Sequence, residues 1–180
     1  MIARLSAALL ALALVAGCSS TAGSNSSSTA PTGGKAVDAA ASAEAKPKPK
    51  TAEEITTALA EKVTTAQLTK VFTAEDDPNK QLGRPNSYTG KTAFTDTRIP
   101  VEGEVSFTKE NDTLRGGGVE VFADQAAADA RKDYIQSFGK TTPMLAEYDY
   151  VVGGVLLRVS KILTPDQAAE YETAFKAILG

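Results

Sequence analysis

Cys18 is the only cysteine of this chain, and its position predicts a covalent lipid attachment. It ends the segment Leu-Val-Ala-Gly-Cys at 14–18, after an apolar run at 5–16 and the basic Arg4. That run has the length of a signal peptide and is too short to span a bilayer. The thiol is the group that forms a thioether to a diacylglyceryl group in bacterial lipoproteins, and small residues precede it as the signal peptidase requires.

The sequence therefore predicts a lipoprotein signal peptide at 1–17 and a mature chain that begins at Cys18. Two or more acyl chains, palmitate among them, anchor a protein stably where a single chain does not. The expected location is the extracytoplasmic face of the cell membrane. An ordinary secretory signal that leaves Cys18 as a free thiol is the alternative.

A second group of polar side chains lies in the block Asp-Pro-Asn-Lys-Gln-Leu-Gly-Arg-Pro at 77–85. Its pattern predicts a single helical turn, with Asp77 as the N-cap and Gly83 at the C-terminal end. Arg84 has no evident backbone role, so it either pairs with Asp77 or Asp96 or faces a ligand. The candidate partner-binding residues are Asp77, Asn79, Arg84 and Tyr88.

Carboxylates suggest two further chemistries. The cluster at 75–77 with Asn79 is rich in oxygen ligands for Ca²⁺ but lacks the spacing of a calcium loop. Carboxylates near the polar stretch 100–115 could supply the acid and base of a cell-wall hydrolase. A solvated acidic loop is the simpler interpretation of both, and no metal or cofactor is predicted. The carboxylates of the second group are Asp96, Glu102, Glu104, Glu110 and Asp112.

Composition excludes several classes of protein. The chain has no histidine, which removes Ser-His-Asp and Cys-His catalysis and His-ligated metals. Residues 51–180 carry 14 basic and 20 acidic side chains, a balance of −6 without a basic patch, so nucleic-acid binding is not expected. The glycines at 116–118 lack the Lys-Ser/Thr of a phosphate-binding loop and are interpreted as a bend or bulge. No enzymatic activity is predicted.

The chain divides into an anchor, a linker and one domain. Residues 18–50 hold the lipidated Cys18 and a disordered linker rich in Ser, Gly, Lys and Pro, whose only large apolar residue is Val37. The linker either acts only as a spacer or also contacts anionic lipid headgroups through its lysines. Residues 51–180 are expected to fold as a single domain.

Several helices and strands are predicted within 51–180. A capping box formed by Thr51 and Glu54 starts the first helix. Strands are expected within 68–73, 88–98 and 119–122, and a short edge strand near Val105 and Phe107. A second helix starts after Asp124 and stops at Gly139, with an apolar stripe of Ala127, Ala130, Tyr134 and Phe138, and Ile135 beside it.

The clearest local prediction is a hairpin turning at Gly153-Gly154, because that pair suits a two-residue turn. Its register pairs Val152 with Val155 and sets Asp149 opposite Arg158. At the tip, Val151 and Leu156 either form a contact patch or lie under a helix. A last helix starts at a Thr164–Gln167 capping box and buries a stripe that contains Ala168, Tyr171, Phe175 and Ile178.

The order of these elements predicts an α+β fold. Short links between strands favour an antiparallel β-sheet, with the helices packed on one face as a two-layer sandwich.

The block at 77–85, followed by Tyr-Thr at 88–89, Phe-Thr-Asp at 94–96 and Val-Glu-Val-Phe at 119–122, resembles a set of actinobacterial secreted lipoproteins. These share a lipobox, a Ser/Gly-rich linker and one small domain. The resemblance covers residues 65–180, implies a cell-surface lipoprotein without an assigned activity, and transfers no catalytic residue.

Together these observations predict a membrane-anchored, extracytoplasmic lipoprotein that acts as a non-enzymatic binding or interaction module of the cell envelope. Its expected partners are the membrane, through the acyl chains on Cys18, and an envelope protein. The alternatives are a carrier of a small apolar ligand or lipid and a carboxylate-based cell-wall hydrolase.

Overall fold

A computed structural model describes residues 50–180. The predicted signal peptide at 1–17, the predicted lipidation site Cys18 and the predicted linker up to residue 49 lie outside the described residues. Short 3-10 turns at Gly103–Phe107, Thr113–Arg115 and Pro143–Leu145 join some of the regular elements. In chain order the helices and strands are α1 (Ala52–Lys62), β1 (Ala66–Val71), β2 (Gly90–Asp96), β3 (Gly116–Val121), α2 (Gln125–Thr141), β4 (Glu147–Val152), β5 (Val155–Ser160) and α3 (Pro165–Leu179).

The five strands form one antiparallel sheet in the order β1-β2-β3-β5-β4. The predicted hairpin is confirmed, because Val152 pairs with Val155 and Asp149 lies opposite Arg158. Gly153 takes a φ of 57°, a left-handed conformation that glycine adopts without a steric penalty. The α+β class and the antiparallel sheet are therefore confirmed.

The predicted helix starts are confirmed at the level of individual hydrogen bonds. Capping boxes form between Thr51 and Glu54 at α1 and between Thr164 and Gln167 at α3. The Asp124 carboxylate accepts from the backbone N–H of Ala127 at α2. Each cap satisfies amides that have no partner within the helix.

The main core lies between one face of the sheet and the two helices α1 and α3. Every second strand residue faces it, because side chains alternate across a strand. Phe94 of β2 stacks on Tyr171 of α3 with ring centroids 5.3 Å apart. The predicted stripe of α3 is confirmed as buried. Further buried members of this core include Ile55, Leu59, Val119, Leu157, Val159 and Phe175.

The prediction that all helices pack on one face is wrong for α2, which covers the opposite face of the sheet. There Ala128 and Ile135 of α2 pack with Leu156 of β5 in a second apolar cluster. Leu156 lies on the face of β5 opposite to Val155 and Leu157, because side chains alternate along a strand, and α2 covers it. The domain therefore has three layers, and Leu156 lies under a helix rather than in an exposed patch.

The predicted stripe of α2 is confirmed only in part, because Ala127 and the adjacent Ile135 pack in the second cluster whereas Ala130 is exposed. Its buried residues are Ala128 and Ile135, whereas Tyr134 and Phe138 project from the surface. Gly139 does not end the helix, which continues to Thr141.

Three loop predictions need correction. Residues 77–83 form turns rather than a helical turn, although the Asp77 carboxylate does accept from the backbone amides that follow it, those of Asn79, Gln81 and Leu82. The region of Val105 and Phe107 is a 3-10 turn rather than an edge strand.

The glycines at 116–118 form no bend and belong to β3. A Cβ on Gly117 would lie 2.4 Å from the Phe94 ring, so close packing explains the residue there.

Candidate functional site

The face of the sheet under α2 carries a network of buried charges. Glu120 of β3 lies between Arg131 of α2 and Arg158 of β5 and is almost fully buried. Arg131 Nε donates to its carboxylate at 2.9 Å and Arg158 Nη1 at 3.2 Å. Arg158 also donates to Glu147 of β4 at 2.8 and 3.0 Å. Two guanidinium groups thus join four elements, α2, β3, β4 and β5, through two carboxylates.

The same network extends into the loop at 74–88 through Asp77. The Asp77 carboxylate accepts from the Tyr88 hydroxyl at 2.6 Å and from Lys91 Nζ at 2.9 Å. It also accepts from the backbone amides of Gln81 and Leu82 at 2.8 and 3.1 Å. Asp77 is therefore the residue that holds this loop against the sheet.

Asn79 connects the two halves of the network. Its neighbours are hydrogen-bond donors, so its amide oxygen faces them. In that orientation it accepts from Lys91 Nζ at 3.1 Å and from Arg131 Nη2 at 3.3 Å.

Burial and neighbouring charges shift the pKa values of these carboxyls in opposite directions. Burial alone would raise the pKa of Asp77, but the bonds from Tyr88, Gln81 and Lys91 outweigh it and hold the pKa well below its usual range. Burial would also raise the pKa of Glu120, but the charges of Arg158 and Arg131 outweigh burial and lower the pKa. Both carboxylates are therefore ionised at neutral pH.

The two acidic residues of β4 behave differently. Burial raises the pKa of Glu147 more than the charge of Arg158 lowers it. For Asp149, burial and the charge of Glu147 raise the pKa to about 7 against the weaker effect of Arg158. The predicted Asp149–Arg158 pair is thus right in register but forms no ion pair, because Arg158 is bound to Glu120 and Glu147.

A cleft of about 460 Å³ opens over this network, between α2, β5, the loop near Asn79 and two 3-10 turns. Its floor includes Arg131, Glu147 and Arg158. Four apolar side chains surround its mouth and remain exposed: Tyr134 (57%), Phe138 (43%), Met144 (64%) and Leu145 (54%). We refer to this space as the α2 cleft. A concave apolar site with a few converging polar groups is typical of ligand pockets.

The four predicted partner-binding residues take different positions. Asp77 and Tyr88 are fully buried, so their side chains do not reach the surface. Asn79 lines the α2 cleft. Arg84 is exposed and contacts no polar side chain among residues 50–180. The predicted pairing of Arg84 is wrong, because Asp77 is bound to Lys91 and Asp96 to Arg98.

The other carboxylates do not form a common site. Asp76 pairs with Lys70 and Asp77 with Lys91, so the acidic cluster is not directed at one point. Within residues 50–180, no group of three or more acidic, His or Cys side chains is arranged to hold a metal ion. Asp96 is bound to Arg98 and Tyr171 on the opposite face. Of the remaining carboxylates, Glu102, Glu104 and Glu110 are exposed, and Asp112 caps a 3-10 turn.

Reasoning from sequence missed most residues of the α2 face. Glu120 is a charged residue between Val119 and Val121, and a charge within an apolar strand is the signal that could have identified it. Nothing in the sequence links Glu120 to Arg131 or Asn79, because these contacts join separate elements.

Comparison of the chain with family models, curated proteins and solved structures finds no match. The resemblance to actinobacterial lipoproteins therefore stays a prediction. In the described part of the chain, no helix is both long and apolar enough to cross a membrane.

Proposed function

We propose that this chain is a lipid-anchored, extracytoplasmic binding module of the cell envelope, without enzymatic activity, and that it binds its partner at the α2 cleft. The lipobox that ends at Cys18 supports the anchor, and the Ser-, Gly-, Lys- and Pro-rich composition of the linker supports a spacer between anchor and domain.

The exposed rim of the α2 cleft is the observation that carries the proposal. Water-exposed Tyr, Phe, Met and Leu side chains grouped around one opening are unfavourable in a free soluble domain and are typical of a contact surface. Aromatic residues and Met are enriched at interfaces because they bury large areas. Tyr134 and Phe138 already contact each other edge to face, with centroids 4.9 Å apart.

The floor of the α2 cleft would orient a partner without reacting with it. Arg131, Arg158 and Glu147 are held by ion pairs, so their positions are preorganised. Preorganised polar groups reduce the entropy lost on binding. Asn79 and Gln81 add hydrogen-bonding groups from the loop.

The test is an affinity pull-down from detergent-solubilised membranes with the full chain as bait. A Phe138→Ser bait disrupts the rim, and a Phe107→Ser bait is the matched control, because Phe107 is 90% exposed and does not line the cleft. We expect the first substitution to reduce recovery of the partner at least tenfold and the second to leave it unchanged. Equal recovery with all three baits would place the interface elsewhere.

A carrier of a small apolar ligand or lipid is the second candidate, and the volume of the α2 cleft favours it. A space of about 460 Å³ is within the range of small-molecule pockets. Native mass spectrometry of the chain purified from membranes tests this candidate. A bound small molecule that is lost in the Phe138→Ser variant would support the carrier over the protein-binding module.

A further inference from the structure

The outer edge of β4 is a regular strand edge without a neighbour. β4 is the last strand of the sheet, and β5 is the strand that pairs with it among residues 50–180. Its six residues pair with β5 without a bulge, and none of them is Lys or Pro. The helices α3 and α2 pack on its two faces. An edge of this kind is a template for a further strand.

The opposite edge of the described sheet, at β1, is protected. Its register shifts between Leu68 and Lys70, which marks a β-bulge, and Lys70 pairs with Asp76 beside the strand. A bulge and a lysine interrupt the regular row of backbone groups that a further strand needs. Of the two edges, β4 is therefore the one suited to accept a strand along its length.

The hairpin register defines which backbone groups of β4 point outward. In a hairpin with a two-residue turn, the closing residues Val152 and Val155 exchange hydrogen bonds, and every second residue of β4 then does the same. The N–H and C=O groups of the intervening residues therefore point away from β5. Within residues 50–180, no backbone hydrogen bond outside the sheet involves them. These residues are Glu147, Asp149 and Val151.

The two acidic side chains of β4 do not stand in the way of a further strand. Glu147 is held by Arg158 within the sheet. The Asp149 carboxylate is buried on the α2 face, where Lys132 and Gln136 of α2 approach it. A strand that is added to β4 therefore meets backbone groups in the plane of the sheet.

A second copy of β4 fits this edge in one register better than in others. An antiparallel pair about a two-fold axis requires outward-pointing residues to face each other, and two such registers, centred on Asp149 or on Tyr150, pair most of the strand. The first sets Asp149 opposite its own copy, and like charges directly opposite are destabilising. The second sets Tyr150 opposite Tyr150 and Tyr148 opposite Val152, and aromatic pairs and pairs of an aromatic with a β-branched residue are favourable.

We propose that two copies of this chain associate through β4 in the antiparallel register centred on Tyr150, which joins their two five-stranded sheets into one continuous sheet. Asp149 then lies opposite Val151 of the second copy rather than opposite another acid. The two-fold axis is perpendicular to the joined sheet, so the two α2 clefts lie on the same face. The edge is a property of the folded domain and does not depend on what the α2 cleft binds.

The proposed membrane anchor explains why the occupant is a second copy. Chains that are held on one membrane surface meet at a high effective concentration, so a modest edge contact is sufficient for association. The joined pair presents its two α2 clefts side by side, which increases the avidity for a partner with two binding segments.

Disulfide cross-linking of the full chain in isolated membranes tests the register. Tyr150→Cys places a thiol opposite its own copy, at a Cα separation of about 4.5 Å that suits a disulfide. Tyr148→Cys is the matched control, because this register puts the two copies of residue 148 about 14 Å apart. After mild oxidation, we expect at least tenfold more disulfide dimer from Tyr150→Cys than from Tyr148→Cys on a non-reducing gel. The natural chain, run alongside, shows any dimer that Cys18 forms.

Two further variants test the same edge. In the Tyr150→Cys chain, Val151→Pro removes an outward N–H and leaves the bonds to β5 in place, so the dimer should fall at least fivefold. Val71→Pro at the end of β1 is its control and should leave the dimer unchanged. Co-expressed Tyr148→Cys and Val152→Cys chains should form a mixed disulfide, because this register sets the two residues opposite each other.

A dimer yield from Tyr150→Cys no higher than from Tyr148→Cys, together with no mixed disulfide, would overturn the proposal. An undiminished yield in the Val151→Pro chain would overturn it as well. The mixed disulfide keeps the test decisive even where Tyr150→Cys fails to fold, and the melting temperature of each variant shows whether it is folded.

Discussion

Glu120 and Asp149 are buried on the same face of the sheet but have opposite electrostatic surroundings. Glu120 accepts from two guanidinium groups, which outweigh its desolvation. Asp149 is desolvated beside Glu147 without a direct partner. A carboxylate on this surface is therefore stabilised as an anion at position 120 and destabilised as an anion at position 149.

Asp149→Asn should stabilise the fold at pH 8 and remove part of its pH dependence. Because the pKa of Asp149 is raised from an ordinary 3.8 to about 7, the folded state holds this proton more tightly than the unfolded state. The free energy of unfolding of the natural chain should therefore fall as pH rises from about 4 to about 7 and then level off. The full change in the free energy of unfolding across this pH range corresponds to roughly 4 kcal/mol.

Urea unfolding at pH 5 and pH 8 measures this effect. The natural chain should lose stability between the two pH values relative to Asp149→Asn, and the Asp133→Asn control should behave like the natural chain. An Asp149→Asn variant with an unchanged pH dependence would show that Asp149 is not desolvated as described.

Glu120→Gln should destabilise the domain strongly, because it leaves Arg131 without its charge partner and removes one of two from Arg158. Breaking a buried ion pair from one side costs about 3–5 kcal/mol. Glu170→Gln is the control, since Glu170 is an exposed partner of Arg98, and a surface pair contributes about 0–1 kcal/mol. Chemical denaturation measures the free energy of unfolding of both variants. A similar loss for Glu120→Gln and Glu170→Gln would contradict a stabilising role of the buried network.

At the scale of elements, α2 both covers the sheet and borders the α2 cleft. Its inner side is narrow, with Ala128 and Ile135 as the buried apolar contacts. Its neighbouring side carries Arg131 into the network and leaves Tyr134 and Phe138 at the rim. The limited apolar contact of α2 is thus a consequence of the charged floor beneath it.

Strand β3 depends on glycine near its start, so Gly117→Ala should be severely destabilising. The added Cβ would lie 2.2 Å from the Arg158 carbonyl oxygen and 2.4 Å from the Phe94 ring, which requires the strands to separate. We expect a loss above about 3 kcal/mol by overpacking. Gly153→Ala is the control at the hairpin turn, where space is open and the left-handed backbone costs about 1 kcal/mol. Thermal unfolding measures both variants, and a larger loss of stability for Gly153→Ala than for Gly117→Ala would refute this account of β3.

At the scale of the whole molecule, the proposed function joins an anchor at Cys18 to a binding domain through the segment 19–50. Cys18→Ala should leave the precursor unprocessed or release the chain from membranes, because no thiol remains for lipidation. Membrane fractionation with immunoblotting measures the result, and Ser19→Ala is the control that should stay anchored. Normal processing and membrane retention of Cys18→Ala would refute the lipoprotein prediction.

Much of the fold was predictable because its signals are local. The capping boxes at Thr51 and Thr164 and the turn at Gly153 use residues within four positions of one another. The side of the sheet on which α2 packs was not predictable in this way. It depends on the total apolar area of each sheet face, to which several strands contribute.

The sequence by itself determined the local elements, the antiparallel hairpin register and the residue types available for chemistry. Each of these follows from backbone geometry or from composition, which act over a few residues or over the chain as a whole. The absence of histidine is one such property.

Only the tertiary structure decided what the charged residues do. Lys91 rather than Arg84 became the partner of Asp77, and Arg158 was bound by Glu120 and Glu147 rather than by Asp149. Ion pairs depend on distance and desolvation, and both arise only when distant strands and α2 come together. The α2 cleft and the Asp149 carboxylate without a hydrogen-bond partner among residues 50–180 exist for the same physical reason.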